Sequence, residues 1–261
     1  HRREPVAVRT DLWQTGRADS LGYYYLERPG TIPVEELRQL MSDSIFVVDF
    51  SKRNQSSITL RDEDQPVLSF TNNYTSRTLY CYSYYLRSGD ERYLDLFLKN
   101  AGWMHDHATI IADTIALWTN DNMIYEKYDL SFGWPSSYAQ GFGLSVMARA
   151  AQVTGDTAFL ELGGKVVNSF LLSYRKGGIT NINTAGRFWY LEYPADPPGY
   201  VLNGMIFGLF GLYDFYRLTG SARAKHLFDE GVQTLAVNLH RYDMGYWSAY
   251  DLLYDGYCAG Y

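Results

Sequence analysis

Three glycine-containing breaks divide the chain into pairs of helical segments. Gly89, Gly155 and Gly220 are 66 and 65 residues apart, and each lies between two segments with apolar residues at helical spacing. A polar residue follows each glycine, as in Ser88-Gly89-Asp90, which is typical of a helix end, a tight turn and the N-cap of a new helix. The pattern therefore predicts three αα-hairpins.

The two helices of each predicted pair differ in polarity. The first is apolar and aromatic around its whole circumference, most clearly over residues 201–213, whereas the second carries charges. A helix without a polar face must be buried on all sides, which suits the inner ring of an α/α toroid. We therefore predict an all-α fold, an incomplete α/α toroid over residues 71–261. It is expected to be truncated at its C-terminus, and residues 1–70 are expected to pack on it or to precede it.

Long connections rich in Gly, Pro, Trp and Tyr separate the hairpins, and long ordered loops often carry function. The connection over residues 175–199 predicts a small β-hairpin at the mouth of the toroid, with Phe188-Trp189-Tyr190-Leu191 as one strand. Two apolar runs near the N-terminus, residues 22–26 and 45–50, are further strand candidates.

Composition narrows the class of partner. The net charge of −6 argues against nucleic acid and anionic membranes as partners, and no apolar run approaches the ~20 residues that span a bilayer. The 24 tyrosines are unusual. Tyrosine joins an apolar ring to a hydroxyl, so it suits a groove that stacks on sugars, although an aromatic-rich core is the plainer explanation.

No metal or cofactor is expected. His105-Asp106-His107 offers ligand-type side chains without a third anchored ligand, and neither Cys81 nor Cys258 has a zinc-type spacing. The glycines at 141 and 143 open a helix but follow no strand of a βαβ unit, so they do not indicate a dinucleotide site.

Several motifs together carry a family resemblance. They are Tyr138-Ala139-Gln140-Gly141, Trp189-Tyr190-Leu191-Glu192-Tyr193-Pro194, Val201-Leu202-Asn203-Gly204, Gly211-Leu212-Tyr213-Asp214 and Ser248-Ala249-Tyr250-Asp251-Leu252. In this order and spacing they resemble the C-terminal catalytic domain of D-glucuronyl C5-epimerases, from about Asn72 to Tyr261. The Glu-Tyr-Pro and Val-Leu-Asn-Gly pair is the most specific part.

The resemblance implies an activity and its residues. It implies inversion of C5 of glucuronic acid within a heparosan-like acidic polysaccharide, on an α/α toroid. The implied acid–base residues are Glu192, Tyr193 and Tyr250, with Tyr261 matching a family tyrosine that precedes a histidine. One departure concerns the substrate: Leu253 stands where the animal enzymes have arginine after Tyr-Asp-Leu, so a different uronate polymer remains open.

The chemistry explains why tyrosines would be needed. The C5 hydrogen beside a carboxylate is a weak acid, and its removal adds negative charge to an anion, which donors must neutralise. Tyrosine is a competent acid and becomes a base only where a cation or hydrogen bond favours its phenolate. We expect Glu192 and Tyr193 on one face of the sugar and Tyr250, with Tyr261, on the other face or at the carboxylate.

Four further residues are candidates for substrate binding. Arg187 would pair with the sugar carboxylate, and Gln140, Tyr190 and Asn203 would contact hydroxyls. Each has a structural alternative, such as a surface arginine or a cap of a buried helix.

Three other functions share an aromatic groove. A polysaccharide lyase starts with the same proton abstraction, and a glycan-binding protein needs no chemistry. A glycoside hydrolase would need two carboxyls, such as Asp129 or Asp251 with Glu192. A homodimer stays open, and the compartment would be the secretory pathway (Golgi) in an animal and the envelope or cytoplasm in a bacterium.

Overall fold

The computed structural model describes residues 71–121, 124–254 and 257–259. This part of the chain is mainly helical, and its six α-helices form the three predicted αα-hairpins. They are α1 (Thr71–Ser88), α2 (Glu91–Asp106), α3 (Ser137–Thr154), α4 (Ala158–Ser169), α5 (Leu202–Thr219) and α6 (Ala222–Asn238). Within these ranges, no helix combines the length and the apolar character needed to span a membrane.

The turns within the hairpins form as the sequence predicts. Gly89, Gly155 and Gly220 have φ values of 69°, 74° and 72°, a left-handed conformation that glycine adopts without steric cost. The side chains of Asp90 and Ser221 then accept hydrogen bonds from the backbone N–H groups of Arg92 and Ala224, in the first turns of α2 and α6. Local sequence alone therefore sets the length and direction of these turns.

In the long connections that the structure describes, there are three two-stranded antiparallel sheets. The predicted β-hairpin is confirmed as β5 (Thr180–Ile182) and β6 (Phe188–Tyr190), with Thr180 opposite Tyr190. The other two sheets were not predicted; they pair β1 (Thr109–Ile111) with β2 (Ile115–Leu117) and β3 (Thr119–Asn120) with β4 (Trp134–Pro135). The described part of the chain is thus mainly helical with small sheets, in agreement with the predicted helical fold class.

The three hairpins pack side by side around a central helix. Helix α3 lies between α1 and α5, and α2, α4 and α6 each pack on the first helix of their own hairpin. The toroid stays a prediction, as does the division at residue 70. Residues 1–70, including the two strand candidates at 22–26 and 45–50, lie outside the described part of the chain.

The contact between α3 and α5 is the most extensive between two helices and depends on glycine. A Cβ added at Gly141 would lie 2.0 Å from the carbonyl oxygen of Phe207, and one added at Gly211 would lie 2.0 Å from the carbonyl oxygen of Gly141. The two backbones therefore touch, with no side chain between them. Large buried side chains, including Leu144, Met147 and Met205, belong to the main core around this contact.

A methyl group at this crossing should force the helices apart. We expect Gly141→Ala to destabilise the protein by about 1–3 kcal/mol, the usual cost of overpacking a core. Urea unfolding measures this. The matched control is Gly102→Ala in α2, where an added Cβ meets nothing within 4 Å and stability should hold or rise slightly. Equal stability of both variants would show that the crossing tolerates a side chain.

Candidate active site

The segment after β6 crosses the N-terminal ends of α3 and α5. The backbone N–H of Ser137 donates to the carbonyl oxygen of Leu191 at 2.9 Å, and the Ser137 hydroxyl donates to the carbonyl oxygen of Gly204 at 2.9 Å. Leu191 is also tied to the β-hairpin through the carbonyl of Ile179 at 2.7 Å. These bonds fix the positions of the next two residues, Glu192 and Tyr193.

Glu192 is a buried carboxylic acid, with 3% of its surface exposed. It occupies the space left by the missing side chain of Gly204, where an added Cβ would lie 2.2 Å from the Glu192 Cβ. Burial raises the pKa of Glu192 to about 7, although hydrogen bonds from Tyr193 and the Gly204 N–H act in the opposite direction. An acid that titrates near neutral pH can both take up and release a proton under ordinary conditions.

Tyr193 is held by aromatic rings. Its ring centre lies 4.5 Å from Tyr128, 4.8 Å from Tyr125 and 5.6 Å from Trp134, within a small cluster of buried residues separate from the main core. Burial, and then the neighbouring Glu192, raises the pKa of Tyr193 well above its usual value. The Tyr193 hydroxyl is therefore protonated at neutral pH and can donate a hydrogen bond.

Tyr250 meets Tyr193 across the site. The two hydroxyl oxygens are 3.3 Å apart, a hydrogen bond in which either can donate. The Tyr250 backbone is anchored on two sides, because its carbonyl accepts from the N–H of Leu202 at 3.2 Å and its N–H donates to Tyr257 at 2.8 Å. The structure thus brings together three of the four predicted acid–base residues; Tyr261 lies outside the described part of the chain.

A third segment, Tyr125-Glu126-Lys127-Tyr128, completes the site and was missed by the sequence reasoning. The Tyr128 hydroxyl donates to Oδ2 of the buried Asp251 at 2.5 Å, and the Lys127 ammonium lies 3.9 Å from the same oxygen. Two tyrosines three positions apart that flank a lysine in a long connection were the available signal. No local sequence pattern links these two tyrosines to Tyr250, which lies 122 or more positions later in the chain.

The four predicted substrate-binding residues differ in their surroundings. Gln140 is buried, and its amide both donates to and accepts from the backbone of Trp118. Tyr190 is fully buried and donates to the carbonyl of Leu227 at 2.7 Å. A sugar would have to displace these bonds, so both side chains have structural roles in this conformation.

The other two lie at more open positions. Arg187 is partly exposed near the turn between β5 and β6, where its backbone N–H donates to the Asn183 side chain at 3.0 Å. Asn203 is partly buried in the first turn of α5, beside Gly204, and its Oδ1 has no hydrogen-bond partner among the described residues. Asn203 therefore keeps an acceptor that a sugar hydroxyl could use, and it is adjacent in the chain to the glycine that contacts Glu192.

The two aspartates considered as hydrolase partners of Glu192 differ in burial. Asp129 is exposed in a left-handed turn, whereas Asp251 is buried and accepts hydrogen bonds from Tyr128, Leu253 and Tyr254. In the described ranges, no group of three His, Cys, Asp or Glu side chains is placed to hold a metal ion.

Comparison with known proteins agrees with this arrangement of motifs. Residues 113–258 match the family described as D-glucuronyl C5-epimerase C-terminus, and this range contains Glu192, Tyr193 and Tyr250. The chain belongs to this family.

Two relatives show how far the likeness extends. An uncharacterized protein of Methanocaldococcus jannaschii is 31% identical over 183 residues, 69% of this chain and 55% of that protein. The D-glucuronyl C5-epimerase of Caenorhabditis elegans is 36% identical over 138 residues, 48% of this chain and 22% of that enzyme. The chain thus spans about half the length of the first relative and less than a quarter of the second.

The raised pKa of Glu192 predicts how stability depends on pH. In the unfolded chain the carboxyl ionises near its ordinary value of 4.5, whereas in the folded protein it stays protonated until about pH 7. The free energy of unfolding should therefore fall by up to roughly 3 kcal/mol as pH rises through this window, at about 1.4 kcal/mol per pH unit. The glutamine of Glu192→Gln cannot ionise, so this variant should not show the decrease. Relative to the wild type, its free energy of unfolding should rise by up to the same amount between pH 4.5 and 7.

Denaturant unfolding at several pH values tests this expectation. The matched control is Glu161→Gln, an exposed position on α4, which should follow the wild-type curve. Parallel curves for Glu192→Gln and the wild type would mean that Glu192 is ionised in the folded protein at low pH.

Proposed function

We propose that the protein inverts C5 of glucuronic acid residues within an acidic polysaccharide of the heparosan type. The observation that carries the proposal is the meeting of the Tyr193 and Tyr250 hydroxyls at 3.3 Å beside the buried acid Glu192. Membership of the D-glucuronyl C5-epimerase C-terminal family supports an epimerase activity at the level of the reaction class.

Inversion at C5 needs acid–base groups on both faces of the sugar ring. One group removes the C5 proton, and a group on the opposite face returns a proton to the planar intermediate. We assign Glu192 and Tyr193 to one face and Tyr250 to the other. The reverse reaction exchanges their roles, so the same residues serve both directions.

The intermediate adds a negative charge to a substrate that is already an anion. Its stabilisation requires donors aimed at the carboxylate oxygens, where the charge develops. Tyr193 suits this role because burial raises its pKa and keeps its hydroxyl protonated. Glu192, with a pKa of about 7, supplies a base that is half ionised near neutral pH.

Substrate entry requires the two hydroxyls to separate. At 3.3 Å they bond directly to each other, whereas a carbon atom between two acid–base groups needs them about 6 Å apart. Tyr193 is clamped by three aromatic rings, while Tyr250 is partly exposed and lies outside the regular helices and strands. We therefore assign the movement to Tyr250.

Proton exchange in heavy water tests the proposal directly. Wild-type protein incubated with unsulfated heparosan should introduce deuterium at uronate C5 and produce iduronate signals in an intact polymer, both seen by NMR. Tyr193→Phe should lower the exchange rate by about 10²–10⁴-fold, because it removes the proton-donating hydroxyl beside Glu192 while keeping the ring.

The matched control is Tyr216→Phe near the C-terminal end of α5, about 20 Å along the helix from Asn203, which should exchange at the wild-type rate. Unsaturated chain ends would identify a lyase instead and contradict the proposal. The absence of exchange with heparosan and with other uronate polymers would leave a glycan-binding protein.

A further inference from the structure

Lys127 places a positive charge inside the aromatic part of the site. Its ammonium lies over the ring of Tyr257, 4.9 Å from the ring centre of Tyr254, 5.4 Å from Tyr128 and 5.7 Å from Tyr250. These three distances are within the range at which an aromatic face attracts a cation. The rings hold the charge next to Tyr250, one of the two residues whose hydroxyls meet.

The ammonium keeps its hydrogen-bonding capacity. The Lys127 Nζ is buried, although 28% of the side chain is exposed, and it has no hydrogen-bond acceptor among the described residues. The distance of 3.9 Å to Asp251 Oδ2 is that of an ion pair, well beyond a charged hydrogen bond. An ammonium has three donors, and aromatic faces do not use them in the directional way that oxygen acceptors do.

Asp251 does not need Lys127 as a hydrogen-bond donor. Its Oδ2 accepts from the Tyr128 hydroxyl, and its Oδ1 accepts from the backbone N–H groups of Leu253 and Tyr254 at 2.9 and 2.8 Å. The Asp251 carboxylate therefore attracts the ammonium by its charge, while its oxygen atoms accept hydrogen bonds from other groups. The three N–H donors of Lys127 remain for an anion that enters beside Tyr250.

We propose that Lys127 binds the carboxylate of the uronate substrate. The inference rests on the proposed function, because that function places a uronate C5 beside the Tyr250 hydroxyl. The carboxylate is bonded directly to C5, so any group that neutralises it must lie close to the acid–base residues. An ammonium there would balance the charge of the bound sugar and of the intermediate formed by proton removal.

Binding of one matched ligand pair tests the assignment. The probes are a short oligosaccharide with a single uronate and the same oligosaccharide with that carboxyl reduced to an alcohol. The wild-type protein should prefer the acid by about tenfold or more, as expected for hydrogen bonds to a charged group. In Lys127→Met this preference should fall to near one, and in Lys127→Arg most of it should remain.

Two controls separate binding from structure. Lys176→Met removes an exposed lysine of the 3₁₀ turn Tyr174–Lys176 and should keep the wild-type preference. A general folding defect in Lys127→Met would weaken the binding of both oligosaccharides, whereas loss of the carboxylate contact weakens the binding of the acid alone. An unchanged ratio in Lys127→Met, or no preference for the acid in the wild type, overturns the assignment.

The outcome is distinguishable from that of the exchange experiment. If wild-type protein prefers the acid through Lys127 but exchanges no C5 hydrogen, Lys127 is a carboxylate-binding residue and the epimerase proposal fails. If C5 hydrogen exchanges while Lys127→Met keeps the preference for the acid, the assignment of Lys127 fails and the epimerase proposal stands.

Discussion

The direct backbone contact between α3 and α5 is the constraint on which the candidate site depends. At Gly141 and Gly211 the helices touch without intervening side chains. Their N-terminal ends are consequently close enough for Ser137 to bond to both Leu191 and Gly204. The same closeness leaves room for Glu192 only because residue 204 has no side chain. The close packing of the core therefore determines where the buried carboxyl of Glu192 lies.

The electrostatics of the site follow from which groups the fold buries. Burial of Glu192 and Tyr193 raises the pKa of each, so protonated forms are favoured on this side of the site. On the other side lie two charged groups, Asp251 with three hydrogen-bond donors and Lys127 among tyrosine rings. Such a division suits a reaction that moves protons next to a fixed anion, because the donors are arranged before the substrate arrives.

Sequence reasoning reached the hairpins and, through the family resemblance, named Glu192, Tyr193 and Tyr250 for one site, but it did not reach the whole site. Helix ends such as Gly89 and Gly155 are marked by local sequence signals. The motifs around Glu192 and Tyr250 can be recognised from their order along the chain. Lys127 and Tyr128 were missed because their contact with Asp251 joins residues 123 or more positions apart. Gln140 shows the opposite difficulty: its motif is recognisable, whereas its bonds to Trp118 depend on a small sheet that periodicity did not predict.

The tyrosines of the described residues fall into groups with different surroundings. Several tyrosines of the described residues belong to the core, such as Tyr82 and Tyr190. The tyrosines of the site differ because their hydroxyls meet other ionisable groups: Tyr193 meets Tyr250, and Tyr128 meets Asp251. Tyr254 and Tyr257 differ again, since both are exposed while their rings face a buried ammonium. Tyr250 joins the two groups, because its hydroxyl meets that of Tyr193 and its ring centre lies 5.7 Å from the Lys127 ammonium. The acid–base hydroxyls and the buried cation are therefore neighbours through a single side chain.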